Sequence, residues 1–131
     1  MKLEDEIKRI VTEMKASSGA IMVRSVDDNE LLMCAVSYNM PKAWDDLVNR
    51  VEDNPKNLNG TVAFTGKPII ANRVDKIFHG YPVNSVIVVP IIRSGKVEAN
   101  IEVISDNDER VFSDEDLRYL QKEAEELKLD I

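Results

Sequence analysis

The chain has 131 residues, 44% apolar and 31% charged, with a formal charge of −7 and one cysteine. That is enough to bury one core unaided, in the proportions of a soluble globular domain. An acidic chain without a basic stripe excludes a nucleic-acid role, no apolar run reaches the roughly 20 residues of a membrane span, and a lone Cys34 allows no internal disulfide. The charge is uneven: from Asp106 to Ile131 there are ten acids against four bases. The start, "MKLEDEIKRI", carries acids where a signal peptide needs a basic patch and an apolar stretch, so a reducing, cytoplasmic setting is expected.

In chain order, "LEDEIKRIVTEM" places Leu3, Ile7, Ile10 and Met14 on one helical stripe, widened by Val11, and "SSG" ends it. "GAIMVRSV" and "LLMCAVSY", joined by "DDNE", read as a hairpin. "PKAWDDLVNRV" returns to helical spacing, with Trp44, Leu47, Val48 and Val51 on one side, and "DNPKNLNG" reads as a loop. Residues 75–84 read as irregular, and "SVIVVPII", "RSGK" and "VEANIEVIS" as a second hairpin around a Ser-Gly turn.

The last helix has the clearest start. Ser113 can cap it, Asp116 can reach back as a short capping box, and Phe112 can staple onto Leu117. Asp114 and Glu115 suit the positive end of the helix dipole. Leu117, Leu120, Ala124, Leu127 and Ile131 then continue an apolar seam.

The stretch "LNGTVAFTGKPIIANRV" poses the functional question. A phosphate-cradling loop needs Gly, four residues, Gly-Lys and then Ser or Thr. Here five residues separate Gly60 from Gly66, and Lys67 is followed by Pro68, which has neither hydroxyl nor N–H. The spacing instead predicts a short helix, "TVAFT", closed by Gly66 in the left-handed conformation, with Pro68 opening an edge strand, "PIIAN".

This stretch, then "NSVIVVPIIRSGKVEANIEVIS", then "RVFSDEDLRYLQKEAEEL", resembles the GAF domain family in order and spacing over residues 58–127, with compatible elements before them. The resemblance implies an α+β fold of GAF/PAS-like type in one domain, 1–131. Its antiparallel sheet would have five to six strands ordered about 2-1-5-4-3. The N- and C-terminal helices would lie on one face, and short helices and loops would form a pocket on the other. It also implies a sensory or regulatory module in signal transduction, binding a small molecule. A homodimer through Leu3, Ile7, Ile10, Met14, Leu117, Leu120, Ala124 and Leu127 is a further expectation. Ala99 and Asn100 depart from the Gly-apolar pair usual in the family. The cyclic-nucleotide signature is missing, and Cys34 lies mid-strand rather than near the pocket loops, which argues against a bilin. One cysteine cannot both attack a sulfoxide and be resolved internally, so methionine sulfoxide reductase activity is not expected.

Alternation in the fifth strand puts Val97, Ala99, Ile101 and Val103 on one face and Glu98, Asn100 and Glu102 on the other. If the first strand lies alongside, Arg24 meets this polar row. Such a row is either solvated and weakly ion-paired, or it faces a wet pocket that could hold an amino-acid-like or cationic ligand. His79 and Tyr81 lie where the family closes its pocket, although a lone loop histidine is ordinarily a surface residue. Trp44 reads as core or pocket wall, Cys34 as a buried inert thiol, and Thr61 and Ser85 complete the candidate contacts. No metal site, cofactor or catalytic pair is expected. Two alternatives remain open: a scaffold whose pocket is filled by side chains, and a Roadblock-like fold without a cavity.

Overall fold

In the computed structural model, which describes residues 2–74, 76–78 and 81–129 without the side chains of 45 and 76–78, the first apolar stripe forms α1, Leu3–Glu13. The first hairpin is β1, Ser18–Arg24, with β2, Leu31–Tyr38. A 3-10 helix, Lys42–Asp46, leads to β3, Val48–Arg50, and α2 runs Leu58–Thr65 before β4, Ile69–Ala71. A small hairpin, β5 (Lys76–Phe78) with β6 (Tyr81–Val83), precedes β7 (Ser85–Arg93), β8 (Lys96–Ser105) and α3 (Asp114–Glu126).

The main sheet is antiparallel in the order β3-β2-β1-β8-β7-β4. The five strands expected from the sequence hold the expected order, and β3 adds a sixth beyond β2. The expected helix over 41–51 is the main correction. Leu47 has extended backbone (φ −72°, ψ 137°), which ends the helical turn, and Val48, Asn49 and Arg50 then pair with Met33, Leu32 and Leu31. Helical spacing in so short a window is a weak preference, and an open strand edge beside β-branched Val48 outweighs it. Residues 75–84, expected to be irregular, supply β5 and β6 instead.

The terminal helices cover one face of the sheet. Ile7, Ile10, Val11, Leu120 and Leu127 pack with Ile21, Ile87, Val89, Ile91, Ala99, Ile101 and Val103 in one buried cluster. The cap of α3 is as the sequence implied: Ser113 Oγ accepts from the Asp116 N–H, and the Asp116 carboxylate accepts from the Ser113 N–H at 2.8 Å. Arg110 ties the two helices together, donating to the Met14 carbonyl at 2.8 Å and to Asp116 at 2.9 Å.

The stripes proposed for a dimer are thereby occupied. Leu3, Ile7, Ile10, Met14, Leu120, Ala124 and Leu127 are buried within the chain's own core, and Leu117 packs against it. Between α1 and α3 the outward surface is polar, with Arg9 bridging to Glu123 at 2.6 Å and the Tyr119 hydroxyl bonded to Glu13. Those side chains must cover the sheet, because α1 and α3 have no other large apolar surface with which to do it.

Candidate functional site: a cavity between the sheet and α2

The opposite face is built from short pieces. Asn57 caps α2, its Oδ1 accepting from the Gly60 N–H at 2.9 Å, while its Nδ2 donates to the Arg50 carbonyl at 2.8 Å. One side chain therefore fixes where the helix starts and joins it to the end of β3. Gly60 is required by proximity: a Cβ there would lie 2.0 Å from the Arg50 carbonyl oxygen. Gly66 ends the helix at φ 72°, its N–H bonded to the Val62 carbonyl. Pro68 follows, and β4 pairs with β7 as the edge strand. The helix begins earlier than expected because Gly60 lies within it rather than before it.

Between α2 and the sheet lies a cavity of about 450 Å³, within the usual range of small-molecule sites. Its floor is Ala20 and Met22 of β1, Cys34 of β2, Val86 of β7, and Glu102 and Ile104 of β8. Its walls are Met40, Trp44 and Leu47 around the 3-10 helix, Ala71 and Val74 near β4, and the segment from Pro55 to Asn59. Trp44 meets the Tyr81 ring edge-on at 5.2 Å, which steadies that wall.

Glu102 is the acid of this floor. Its strand neighbours are Ala20 on β1 and Val88 on β7, neither of which offers a donor or a charge. Burial pushes its carboxyl up to about 7, against the opposing pull of a 3.0 Å hydrogen bond from Asn59 Nδ2. The surface that Glu102 keeps faces the cavity. Asn59 also accepts from Asn100 Nδ2, at its backbone carbonyl (2.9 Å) and at Oδ1 (3.2 Å). A line of amides thus runs from Asn100 through Asn59 to the carboxylate. Asn100 is fully buried, and its Oδ1 has no hydrogen-bond donor among the described residues.

Of the residues expected to contact a ligand, Trp44 and Glu102 line the cavity, and Asn100 lies behind it, joined through Asn59. Arg24 does not meet Asn100 and Glu102. Its Nε donates to the Val97 carbonyl at 3.0 Å, and it shares a separate open depression with Glu98 at the far end of β1. The register places Met22 opposite Asn100 and Ala20 opposite Glu102, so Arg24 falls beyond both, and a bulge in β8 pairs Ile91 with Ala99 and Ile92 with Val97, leaving Glu98 unmatched. The bulge also moves Val97 to the α2 side, beside Ala63 and Leu32, correcting its expected place beneath the terminal helices.

Thr61 and Ser85 are structural rather than cavity-lining. Thr61 Oγ1 donates to the Asn54 carbonyl at 2.7 Å, and Ser85 Oγ accepts from the Arg73 N–H. Tyr81 supports Trp44 from behind, and His79 lies outside the described residues. Cys34, expected to be buried and inert, is half-buried and borders the cavity, with its Sγ donating to the Val36 carbonyl at 3.4 Å. Asn59, Met40 and Lys56 were not anticipated. The Asn57-to-Gly60 spacing of a capped turn could have flagged this segment, although only the fold shows Asn59 reaching β8.

A curled antiparallel sheet, closed by terminal helices on one side and hollow under a short helix on the other, defines an α+β fold of the GAF type. A GAF domain family profile matches residues 3–127, and the chain belongs to that family. Among solved structures, the GAF domain of an Acinetobacter phosphoenolpyruvate-protein phosphotransferase is similar at 16% identity and a TM-score of 0.78, over 94% of this chain and 75% of that one. The type II free methionine-R-sulfoxide reductase of Thermoplasma acidophilum gives 18% and 0.73, over 94% and 84%. A Staphylococcus aureus NreA protein, mutated in its nitrate binding site, gives 15% and 0.70, over 85% and 88%. At such identities the likeness is one of fold. No curated protein matches the chain. GAF domains are generally regulatory modules, and no helix among the described residues is long and apolar enough to cross a membrane.

Proposed function

We propose that the chain is a cytoplasmic regulatory module that binds a small molecule in the cavity between α2 and the sheet, without turning it over. The observation that carries this reading is the cavity itself: about 450 Å³, mostly apolar, with Glu102 in its floor. An apolar hollow with few convergent polar groups is the ordinary form of a ligand site. A scaffold with side chains filling this space would lack the hollow, and a Roadblock-like chain would lack α2 and β4 as well. Binding without turnover fits a chain with one cysteine, which cannot both attack a sulfoxide and be resolved internally.

The test is a thermal-shift screen of metabolites on the wild type and on Ala71→Leu, which places extra carbon in the cavity wall. A ligand bound only by the folded state at a hundred times its Kd stabilises by about 2.7 kcal/mol. Ala71→Leu should fold and lose that gain. Equal gains in both proteins would place the ligand elsewhere and remove the reading.

A further inference from the structure

Resting on that reading, we propose that the cavity receives an organic cation, an ammonium or amidinium on an apolar body, whose N–H donors are taken by the Glu102 carboxylate. The inventory of polar atoms points this way. Glu102 accepts one hydrogen bond, from Asn59, leaving Oε1 without a donor among the described residues. Two positions along the same strand, behind the floor, Asn100 Oδ1 is a second acceptor that no donor among the described residues reaches. A carboxylate can accept about four hydrogen bonds and an amide oxygen two, so what Glu102 and the amides behind it lack is donors. An ammonium supplies three and an amidinium more, whereas an anion would add acceptors to a surplus of them.

Charge and shape agree. The other ionisable side chains lining the cavity are Cys34, whose thiol is directed to Val36, and Lys56, on the segment before α2. Lys56 is exposed, so solvent and salt screen its charge. Met22, Met40, Trp44 and Leu47 offer a polarizable apolar wall for the rest of the ligand. Because Asn59 holds Glu102 Oε2 from the first turn of α2, a cation taken at Oε1 would share the carboxylate with the bond that ties α2 to β8. Ligand capture and the position of α2 are thus linked through one group.

The proposal also fixes a pH dependence. Burial keeps the Glu102 carboxyl protonated up to about pH 7 in the empty site, and only the carboxylate pairs with a cation. Amine binding should therefore tighten about tenfold between about pH 6 and about pH 8, while uncharged probes should show no such slope. The experiment is calorimetric titration of the full chain with 2-phenylethylamine, benzamidine, 2-phenylethanol and 3-phenylpropionate at those two pH values. The wild type and Glu102→Gln, which keeps an acceptor for Asn59, would be compared. Amine or amidine binding that strengthens with pH in the wild type, and loses its slope in Glu102→Gln, supports the proposal. Preference for 3-phenylpropionate, or equal binding of amine and alcohol, overturns it while leaving a small-molecule site in place. Amine binding with the same slope in Glu102→Gln also overturns it. If no probe binds at either pH the cation proposal falls, and the metabolite screen on Ala71→Leu judges the broader reading separately.

Discussion

On the face under α1 and α3, strands β1, β7 and β8 present Ile21, Ile87, Val89, Ile91, Ile101 and Val103, each at 0% exposure. On the other face the same strands present Ala20, Met22, Val86, Glu102 and Ile104, and these line a hollow. One sheet thus has one face built for density and one for access. The difference lies in what covers each side. Two amphipathic helices of 11 and 13 residues can interdigitate along whole strands. An eight-residue helix, a 3-10 turn and loops cannot, and they leave room for a ligand. The terminal-helix side holds the fold together, and the α2 side holds the cavity proposed as the binding site.

The largest break in this contrast should come from the dense face. Ile101→Ala should cost about 2–5 kcal/mol, because the surrounding packing cannot collapse into the gap. The corresponding cut on the other face, Met22→Ala, should cost only about 1–2 kcal/mol, since that side chain already borders empty space. Urea unfolding of both variants measures the asymmetry, and equal losses would deny it.

Glu102→Gln should act in the opposite direction and stabilise. Below pH 4.5 the carboxyl is protonated in both states; above that the unfolded chain gives up its proton while the folded chain holds it to about 7. The folded state binds more protons across this window, so wild-type stability should fall as pH rises through it and level off above about 7. The cost at neutral pH is on the order of 2–3 kcal/mol, and glutamine should recover most of it and flatten the profile. Unfolding midpoints over a pH series would show whether the two curves converge at low pH, as this requires.

Next in size is Gly60→Ala, whose new methyl would collide with the Arg50 carbonyl and with the Asn57 cap. A loss of about 1–3 kcal/mol is expected, with hydrogen exchange rising in α2 and β3 before the terminal helices. Uniform exchange across the chain would show that the two faces are not separable. The smallest effects should come from the caps. Ser113→Ala and Asn57→Ala should each cost about 1 kcal/mol, but only Asn57→Ala should alter ligand binding, because only that cap borders the cavity. Matching effects on binding would contradict the assignment of function to one side.

Legibility in the sequence divides along the same line. The α1 stripe, the α3 capping box, both long hairpins and the Gly66 stop follow from local spacing, the order of five strands follows from the family resemblance, and the structure keeps them. The misreadings cluster around the cavity or at the far end of the sheet. Residues 41–51 have helical spacing but end in a strand, because an unpaired edge of β2 was available to Val48–Arg50. Arg24 and Glu98 were expected to join the polar row, but the register sets Met22 and Ala20 against Asn100 and Glu102, and Glu98 is the unmatched residue of a bulge. Glu102 and Trp44, named from the sequence, line the cavity, whereas Asn59 was not named, since nothing in "NLNG" says which strand its amide will reach.

What the sequence determined by itself was most of the features set by neighbours three, four or two residues away: the α1 and α3 stripes, strand alternation away from the bulge, caps and turns. These are short-range because backbone geometry repeats over those distances. The tertiary structure alone decided that a carboxyl 43 positions from its amide partner would lie in an apolar floor and stay protonated up to about pH 7. Desolvation depends on every atom packed around a group, and those atoms come from β1, β7, β8 and α2 together.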